Sequence, residues 1–386
     1  MGQTLNEIAE TLRDANKKVQ LIYAFNASGK TRLSRAFKNL IAPKSQDNDE
    51  TLDEAILPRE KILYYNAFTE DLFYWDNDLL SDGEPKLIIQ PNTFTDWIIG
   101  EQGKGNDVIA NFQHYTNKNL TPVFLEKDGK RVGKKTYPSV SFSLATGDDE
   151  ATMGIKISKG EESNFIWSVF FTLIEEVVTV MSIAEPENRG TNKFDKLEYV
   201  FIDDPVSSLD ENHLIQLAVD VAELIKRSDT VNGLKFIITT HNPLFFNVLF
   251  NELNNKTCYM LKRLEDGGFE LEAKKGDSNH SFSYHLYLKQ TLEQAIAADK
   301  IERYHFTLLR NLYEKTSNFL GYPKWSELLP SNQQLYLKRI IQFTSHSTLS
   351  SETIAEPSPE EKQTVKLLLD HLRDNYSYCQ KEASNA

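Results

Sequence analysis

The stretch YVFIDDPVSSLDENH, residues 199–213, decides how the rest of the chain is read. Tyr199 to Ile202 are aromatic or β-branched, the composition of a buried strand. The run then ends in two adjacent carboxylates, Asp203 and Asp204. Residues 234–240, LKFIITT, have the same character, and the sequence between the two runs is helical in pattern. Together they predict a strand–helix–strand unit in a buried, mostly parallel sheet.

Working outward, a third apolar run, VQLIY (Val19 to Tyr23), leads into AFNASGKT (Ala24 to Thr31) and then into the helical spacing of TRLSRAFKNLI. Strand, glycine-containing loop, helix is the context in which a loop cradles phosphates. Gly29 allows close approach of the backbone, Lys30 reaches the β- and γ-phosphates, and the Thr31 hydroxyl is placed for Mg²⁺. Asn26 and Ser28 belong to the same loop. Ala24 stands where the pattern usually has its first glycine.

Four elements follow the phosphate loop in order. ISKGEE (Ile157 to Glu162) resembles the signature of ABC-type ATPases, in which Ser158, Gly160 and Glu161 at a helix start face the γ-phosphate of a second subunit. Asp203 would hold Mg²⁺, and Asp204 stands where such enzymes usually carry a catalytic glutamate. SSLD, ending in Asp210, resembles the loop that links the two sites of a dimer, and ITTHNP places His241 as a switch histidine after the next strand. The ordered set resembles an ABC-type (P-loop) NTPase head, an α/β fold whose composite sites imply a head-to-tail homodimer.

Composition bounds the alternatives. The 386 residues allow two domains, and 40% hydrophobic with 26% charged residues is ordinary for a globular protein. The net charge is −13. Residues 281–386 carry equal numbers of acidic and basic side chains, so the whole excess lies before them. That argues against sequence-blind wrapping of DNA. The basic cluster Lys127, Lys130, Arg131, Lys134 and Lys135 in LEKDGKRVGKK reads as a solvated hairpin tip. Two cysteines, Cys258 and Cys379, form neither a disulfide framework nor a metal cluster. No apolar run approaches the ~20 residues of a membrane span, and the polar N-terminus has no signal core, so a cytoplasmic, membrane-free protein is expected.

From about residue 282 the pattern is entirely helical. Residues 286–320, closed by GYP, read as one long helix; QQLYLKRIIQF and PEEKQTVKLLLDHLRDNY read as two more, the last opened by Pro359. The expected domains are 1–275 and 276–386. No sustained heptads lie between the phosphate loop and the signature, so the ATPase must act on this all-α tail. There Arg310 and Glu314 are four apart and share a helix face, while Ile301, Leu308 and Leu312 occupy the other. His346 lies just past the helix QQLYLKRIIQF, with Arg339 seven residues before it. Arg, Glu and His are the residue types for metal-free RNA cleavage by a 2′-hydroxyl: Glu or His moves protons, and Arg forks the phosphorane oxygens. On spacing alone, Arg310 and Glu314 also fit an ordinary surface ion pair.

QLIYAFNASGKTRLSRAFK, KILYYNAFTEDLFYWDNDL, SKGEESNFIWSVFF, YVFIDDPVSSLDENHLI, KFIITTHNP, GDSNHSFSYHLYLKQT, YHFTLLRNLYEKTSNFLGYPKWSELLP and FTSHSTLS together resemble the PrrC-type anticodon nucleases nearly end to end. The resemblance implies an NTPase head joined to a helical nuclease domain, HEPN-like in its Arg339-to-His346 element. It carries the family's Arg, Glu and His onto Arg310, Glu314 and His346. It implies cleavage of lysine tRNA 5′ to the wobble base, leaving 2′,3′-cyclic phosphate and 5′-hydroxyl ends, with no metal in that step. Asp277, Ser278 and Asn279 fall in the family's anticodon-recognition element, where Lys275 and His280 depart from its pattern. ATP or GTP with Mg²⁺ is implied, with dTTP as a second regulatory nucleotide. A type I restriction–modification complex would hold the enzyme silent, and a phage-encoded peptide would release it. The alternative is an ABC-type sensor or DNA-repair-like ATPase with no nuclease of its own.

Overall fold

A computed structural model describes residues 2–43, 61–66, 71–77, 84–128, 135–145, 152–205, 211–228, 233–254, 257–264, 266–275, 284–344 and 357–376. The chain divides into two compact units, Met1–Ser278 and Asn279–Ala386.

The first unit begins with α1 (Leu5–Asp14), β1 (Val19–Ala24) and α2 (Lys30–Ile41). β2 (Ile62–Tyr65), β3 (Phe73–Asp76) and β4 (Lys86–Ile89) follow, then α3 (Gly105–Tyr115), β5 (Leu120–Asp128) and β6 (Lys135–Leu144). The rest is α4 (Lys159–Met181), β7 (Tyr199–Asp203), α5 (Glu211–Arg227), β8 (Lys235–Thr240), α6 (Pro243–Glu252), β9 (Thr257–Arg263) and β10 (Phe269–Lys275). Six of the strands form one sheet in the order β10-β9-β1-β8-β7-β2. All neighbours in it are parallel except the β9/β10 hairpin. β7 and β8 are thus adjacent parallel strands joined by α5, as their sequences predict.

Both central strands are buried on both faces, which explains their continuous apolar runs. Phe37 of α2 packs on Tyr199 and Phe201, so the helix behind the phosphate loop is fastened to the strand that ends in the two aspartates. α2 buries Lys30, Leu33, Ser34 and Phe37, a stripe at helical spacing that carries Lys30 inward at its first turn.

A second, antiparallel sheet, β3-β4-β6-β5, was not legible beyond the β5/β6 hairpin. Residues 129–134 of the basic hairpin tip fall outside the described residues. α4 is the one described helix long and apolar enough to cross a membrane, a feature the sequence reading passed over, and 83% of its apolar window is buried in the fold. Its Phe165, Trp167 and Phe170 pack on Tyr65 of β2, Phe73 of β3 and Phe142 of β6, tying the small sheet to the edge of the large one.

The second unit contains α7 (Tyr284–Ala297), α8 (Arg303–Leu320), a 3₁₀ turn at Trp325–Leu328, α9 (Gln333–Thr344) and α10 (Pro359–Asn375). Its described elements are all helical. Leu292, Phe306, Leu309, Leu312, Leu328 and Leu368 are among its core residues. One expectation is corrected: residues 286–320 are two helices. Asp299 adopts a left-handed φ of 52°, a conformation Asp tolerates better than most residues. The chain turns there, Ile301 enters the core, and His305 Nδ1 accepts from the Glu302 amide at 2.9 Å to open α8. Pro359 sits in the first turn of α10, as expected, and Ser358 caps that helix.

Phe201 is fully buried at the junction of α2 and β7. Phe201→Ala should cost about 3–5 kcal/mol of stability by opening a cavity there. The change is readable as a lowered denaturation midpoint with an unchanged denaturant slope.

Candidate functional site

The register of the large sheet brings the carboxyl ends of β1, β8 and β7 level, with Tyr23 opposite Thr240 and Asp203 opposite Thr239. Ligand sites of parallel sheets form at this edge. Loop residues 25–29 leave β1 there. Ala27 has a φ of 62° and Gly29 one of 98°. Gly29 is the N-cap of α2 and supplies no side chain to its free amides. A Cβ at Gly29 would also come within 2.8 Å of the Phe269 ring. The tight turn and the open, positive helix end are therefore both consequences of glycine at this position.

Lys30 is almost fully buried. Its ammonium donates to the carbonyls of Ala24 and Phe25, each at 3.2 Å, and to Asn26 Oδ1 at 3.4 Å. It also lies 3.5 Å from Asp204 Oδ2. Ser28 turns its hydroxyl back to the Phe25 carbonyl and so braces the loop.

The two aspartates differ sharply. Asp203 is buried and accepts from Thr239 Oγ1, from Thr31 and, at 3.5 Å, from Ser34 Oγ. Burial pushes its carboxyl above the usual range, although the bonds from Thr239 and Thr31 pull the other way. Asp204 has a left-handed φ of 54° and turns away from the strand. It meets His241 Nδ1 at 2.5 Å and accepts from Thr240 Oγ1 at 3.2 Å. Burial raises its pKa too, but the hydrogen bond and charge of His241, with Lys30, hold it below the ordinary value.

This donor set fits a nucleoside triphosphate with Mg²⁺. Thr31 and Asp203, the two expected metal ligands, already touch each other. A divalent cation beside Asp203 would also favour the charged carboxylate that burial opposes. The sequence reading missed the supports Thr239, Thr240 and Ser34. Two of them were visible as the hydroxyls just before His241, and Ser34 as the residue one turn after Lys30.

Ser158 and Glu161 open α4 as a capping box: Ser158 Oγ accepts from the Glu161 amide at 3.3 Å, and Glu161 Oε2 accepts from the Ser158 amide at 2.7 Å. Gly160 lies in that first turn. Asp210, Asp277, Ser278, Asn279 and His346 lie outside the described residues.

In the second unit, Arg310 Nε and Glu314 Oε1 meet at 2.7 Å on α8, and each side chain is about one-third exposed, 36% and 35%. Ile301 and Leu312 are buried and Leu308 half-buried, so the helix turns the pair to the rim of the core. The guanidinium also lies 5.8 Å from the centre of the Trp325 ring. Arg339 is placed on α9 by its backbone, and that helix ends at Thr344, two residues before His346.

No protein-family model matches the chain. A curated protein of Escherichia coli named "Anticodon nuclease" is 58% identical to it over 406 residues, covering all of both chains. Among solved structures, the SmcHead bound to the C-winged helix domain of ScpA is 12% identical, with a TM-score of 0.35 over 69% of this chain and 93% of that one. The SMC head domain from Thermotoga maritima is 13% identical, with a TM-score of 0.30 over 67% of this chain and 91% of that one. These structural likenesses are too slight to bear on the site.

Asp204 generates a signed pH dependence. Its folded pKa lies below the unfolded value near 3.8, so its stabilisation is present above that value and is lost as pH falls through the folded one. Asp204→Asn should therefore destabilise by about 1–3 kcal/mol at neutral pH, the scale of charged hydrogen bonds. The gap to the native chain should close in acid. Denaturant melts of both chains across that range test it, and a gap independent of pH would refute the linkage.

Proposed function

The chain belongs to the PrrC-type anticodon nucleases, and from that premise we propose that it is a nucleotide-gated ribonuclease that cuts lysine tRNA in its anticodon loop, 5′ to the wobble base. The full-length 58% identity to the curated anticodon nuclease carries this reading. The phosphate-loop geometry supports the gate, and the Arg310–Glu314 contact supports the cutting site.

The cleavage is a transesterification. The substrate's 2′-oxygen forms a bond to phosphorus and the bond to the 5′-oxygen breaks, leaving a 2′,3′-cyclic phosphate and a 5′-hydroxyl. One proton leaves the 2′-hydroxyl and another arrives at the departing 5′-oxygen. Glu314 and His346 are assigned these two transfers, and no metal is assigned to the step. Arg310 is assigned to the phosphorane oxygens, whose charge a planar guanidinium matches in a fork. Its ion pair with Glu314 holds the base and the cation side by side before substrate arrives. Arg339 is a second candidate for the same charge, within a HEPN-like domain spanning 276–386.

In the NTPase domain, 1–275, ATP or GTP with Mg²⁺ would supply the energy that gates the nuclease. Asn26, Ser28, Gly29 and Lys30 would hold its phosphates, and Thr31 and Asp203 its metal. Asp204, in contact with His241, would orient the attacking water that phosphoryl transfer requires. Ser158, Gly160, Glu161 and Asp210 would complete the site across a head-to-tail dimer, with dTTP as a second regulatory nucleotide. Asp277, Ser278 and Asn279 would read the anticodon. In the cytoplasm a type I restriction–modification complex would keep the enzyme latent until a phage-encoded peptide releases it, and cutting host tRNA would then stop phage translation.

Total tRNA incubated with the native chain, with and without ATP or GTP, should yield one nucleotide-dependent cut in lysine tRNA with a cyclic-phosphate end. Glu314→Gln and His346→Ala should each lower its rate about 10²–10⁴-fold, the usual worth of a positioned acid or base. Lys30→Ala should abolish nucleotide hydrolysis and the nucleotide dependence together. Intact tRNA under every condition, alongside normal hydrolysis, would instead favour a sensor ATPase.

A further inference from the structure

α8 does not simply end at Leu320. Gly321, at a left-handed φ of 79°, closes it, and the Tyr322 amide returns to the Ser317 carbonyl at 2.9 Å. Pro323 and Lys324 then lead into the 3₁₀ turn at Trp325–Leu328, which Leu328 anchors in the core. This reversal folds the loop back along the last turns of α8. It borders an open hollow of about 380 Å³ whose lining includes Glu314, Ser317, Asn318, Pro323, Lys324 and Trp325.

The lining has a specific chemistry. Trp325 is half-buried against the core, with the Arg310 guanidinium 5.8 Å from its ring centroid and Tyr313 in an edge-type contact at 6.3 Å. Asn318 is exposed and offers an amide with both donors and an acceptor. Lys324 is exposed and adds a cation. Phe319, next to Asn318, is 89% exposed, and Tyr322 is 40% exposed. An aromatic wall, an amide and a lysine are what an unstacked RNA base and its phosphate engage. The pocket also shares Glu314 with the proposed cutting site.

We infer that this cavity is a base-binding pocket for single-stranded RNA: Trp325 stacks on the nucleobase next to the scissile phosphodiester, Asn318 hydrogen-bonds its edge, and Lys324 pairs with the flanking phosphate. The inference rests on the nuclease reading and adds to it a subsite on α8 and its following loop. A stacked base there would fix the attacking nucleotide against Glu314, so Trp325 and Lys324 are binding residues that position the substrate for the proton transfers.

The test uses the full chain and a lysine-tRNA anticodon stem–loop made non-cleavable by a 2′-O-methyl group at the attacking nucleotide, with binding read by fluorescence anisotropy. Trp325→Ala should weaken binding roughly 5- to 100-fold, the range seen for one base–aromatic stack, and Trp325→Phe should restore most of it. Removing the base beside the scissile bond should weaken binding to the native chain and have no further effect on Trp325→Ala. Lys324→Ala, at an exposed position that leaves the core intact, should weaken binding several-fold with a shallower salt dependence. Should Trp325→Ala unfold, Lys324→Ala and Asn318→Ala decide: native-like binding by both overturns the pocket. So does an abasic penalty that is the same in the native chain and Trp325→Ala. Native-like binding by all these variants while Glu314→Gln is inactive overturns this inference alone. Failure of the native chain to bind the stem–loop at all, with Glu314→Gln indistinguishable from native, overturns the nuclease reading with it.

Discussion

The contact of Asp204 with both Lys30 and His241 is the point on which the first unit is organised. It joins three chain segments that are far apart in sequence, the loops after β1, β7 and β8. It exists only because those strands are parallel and in a register that ends them together. Slipping β7 by one residue would turn Asp203 out of its buried Thr239 contact and exchange the roles of the two carboxylates. The packing of Phe37 on Phe201 and Tyr199 thus does more than fill volume: it fixes the height of α2, and with it Lys30, against the aspartates.

The two aspartates sit in contrasting environments. Asp203, buried among hydroxyls, is held where its charge is costly and a cation would favour it. Asp204, displaced by a left-handed residue into contact with two nitrogen groups, is kept ionised. A glutamate at 204 would extend its carboxylate one methylene further. The shorter side chain reaches His241 and Lys30 because its backbone has already turned toward them. The left-handed φ at Asp204 is therefore part of the site, a local strain that neighbouring bonds sustain.

Most of the central sheet and the phosphate loop was legible in the sequence, because a strand buried on both faces writes its apolar run continuously and Gly-Lys-Thr at a helix start has few other uses. The second sheet was less legible: β3 and β4 are four residues each, too short for alternation to register. The break between α7 and α8 was hidden for a different reason. Both flanks keep helical spacing, and the only interruption is Asp299, whose left-handed turn is one option among several for that residue. Arg310 and Glu314 were visible as a pair by spacing, but Trp325 beside them was not, since the return of the chain at Gly321 sets that neighbour and no periodicity encodes it.

Ser158 caps α4, and its chemistry is compatible with the phosphate contact proposed for it as well. As the cap of α4 its oxygen accepts from the Glu161 amide, which uses one lone pair. The hydroxyl proton is not engaged in that bond and remains available to an acceptor. A phosphate oxygen is such an acceptor, and it would meet the proton at the positive end of a 23-residue helix. Both acids of that first turn are engaged: the Glu161 carboxylate accepts from the Ser158 amide, and Glu162 accepts from Lys159 Nζ and Trp75 Nε1. A capping box of this kind is therefore compatible with a phosphate site, whereas an acidic residue left free in the same first turn would oppose one.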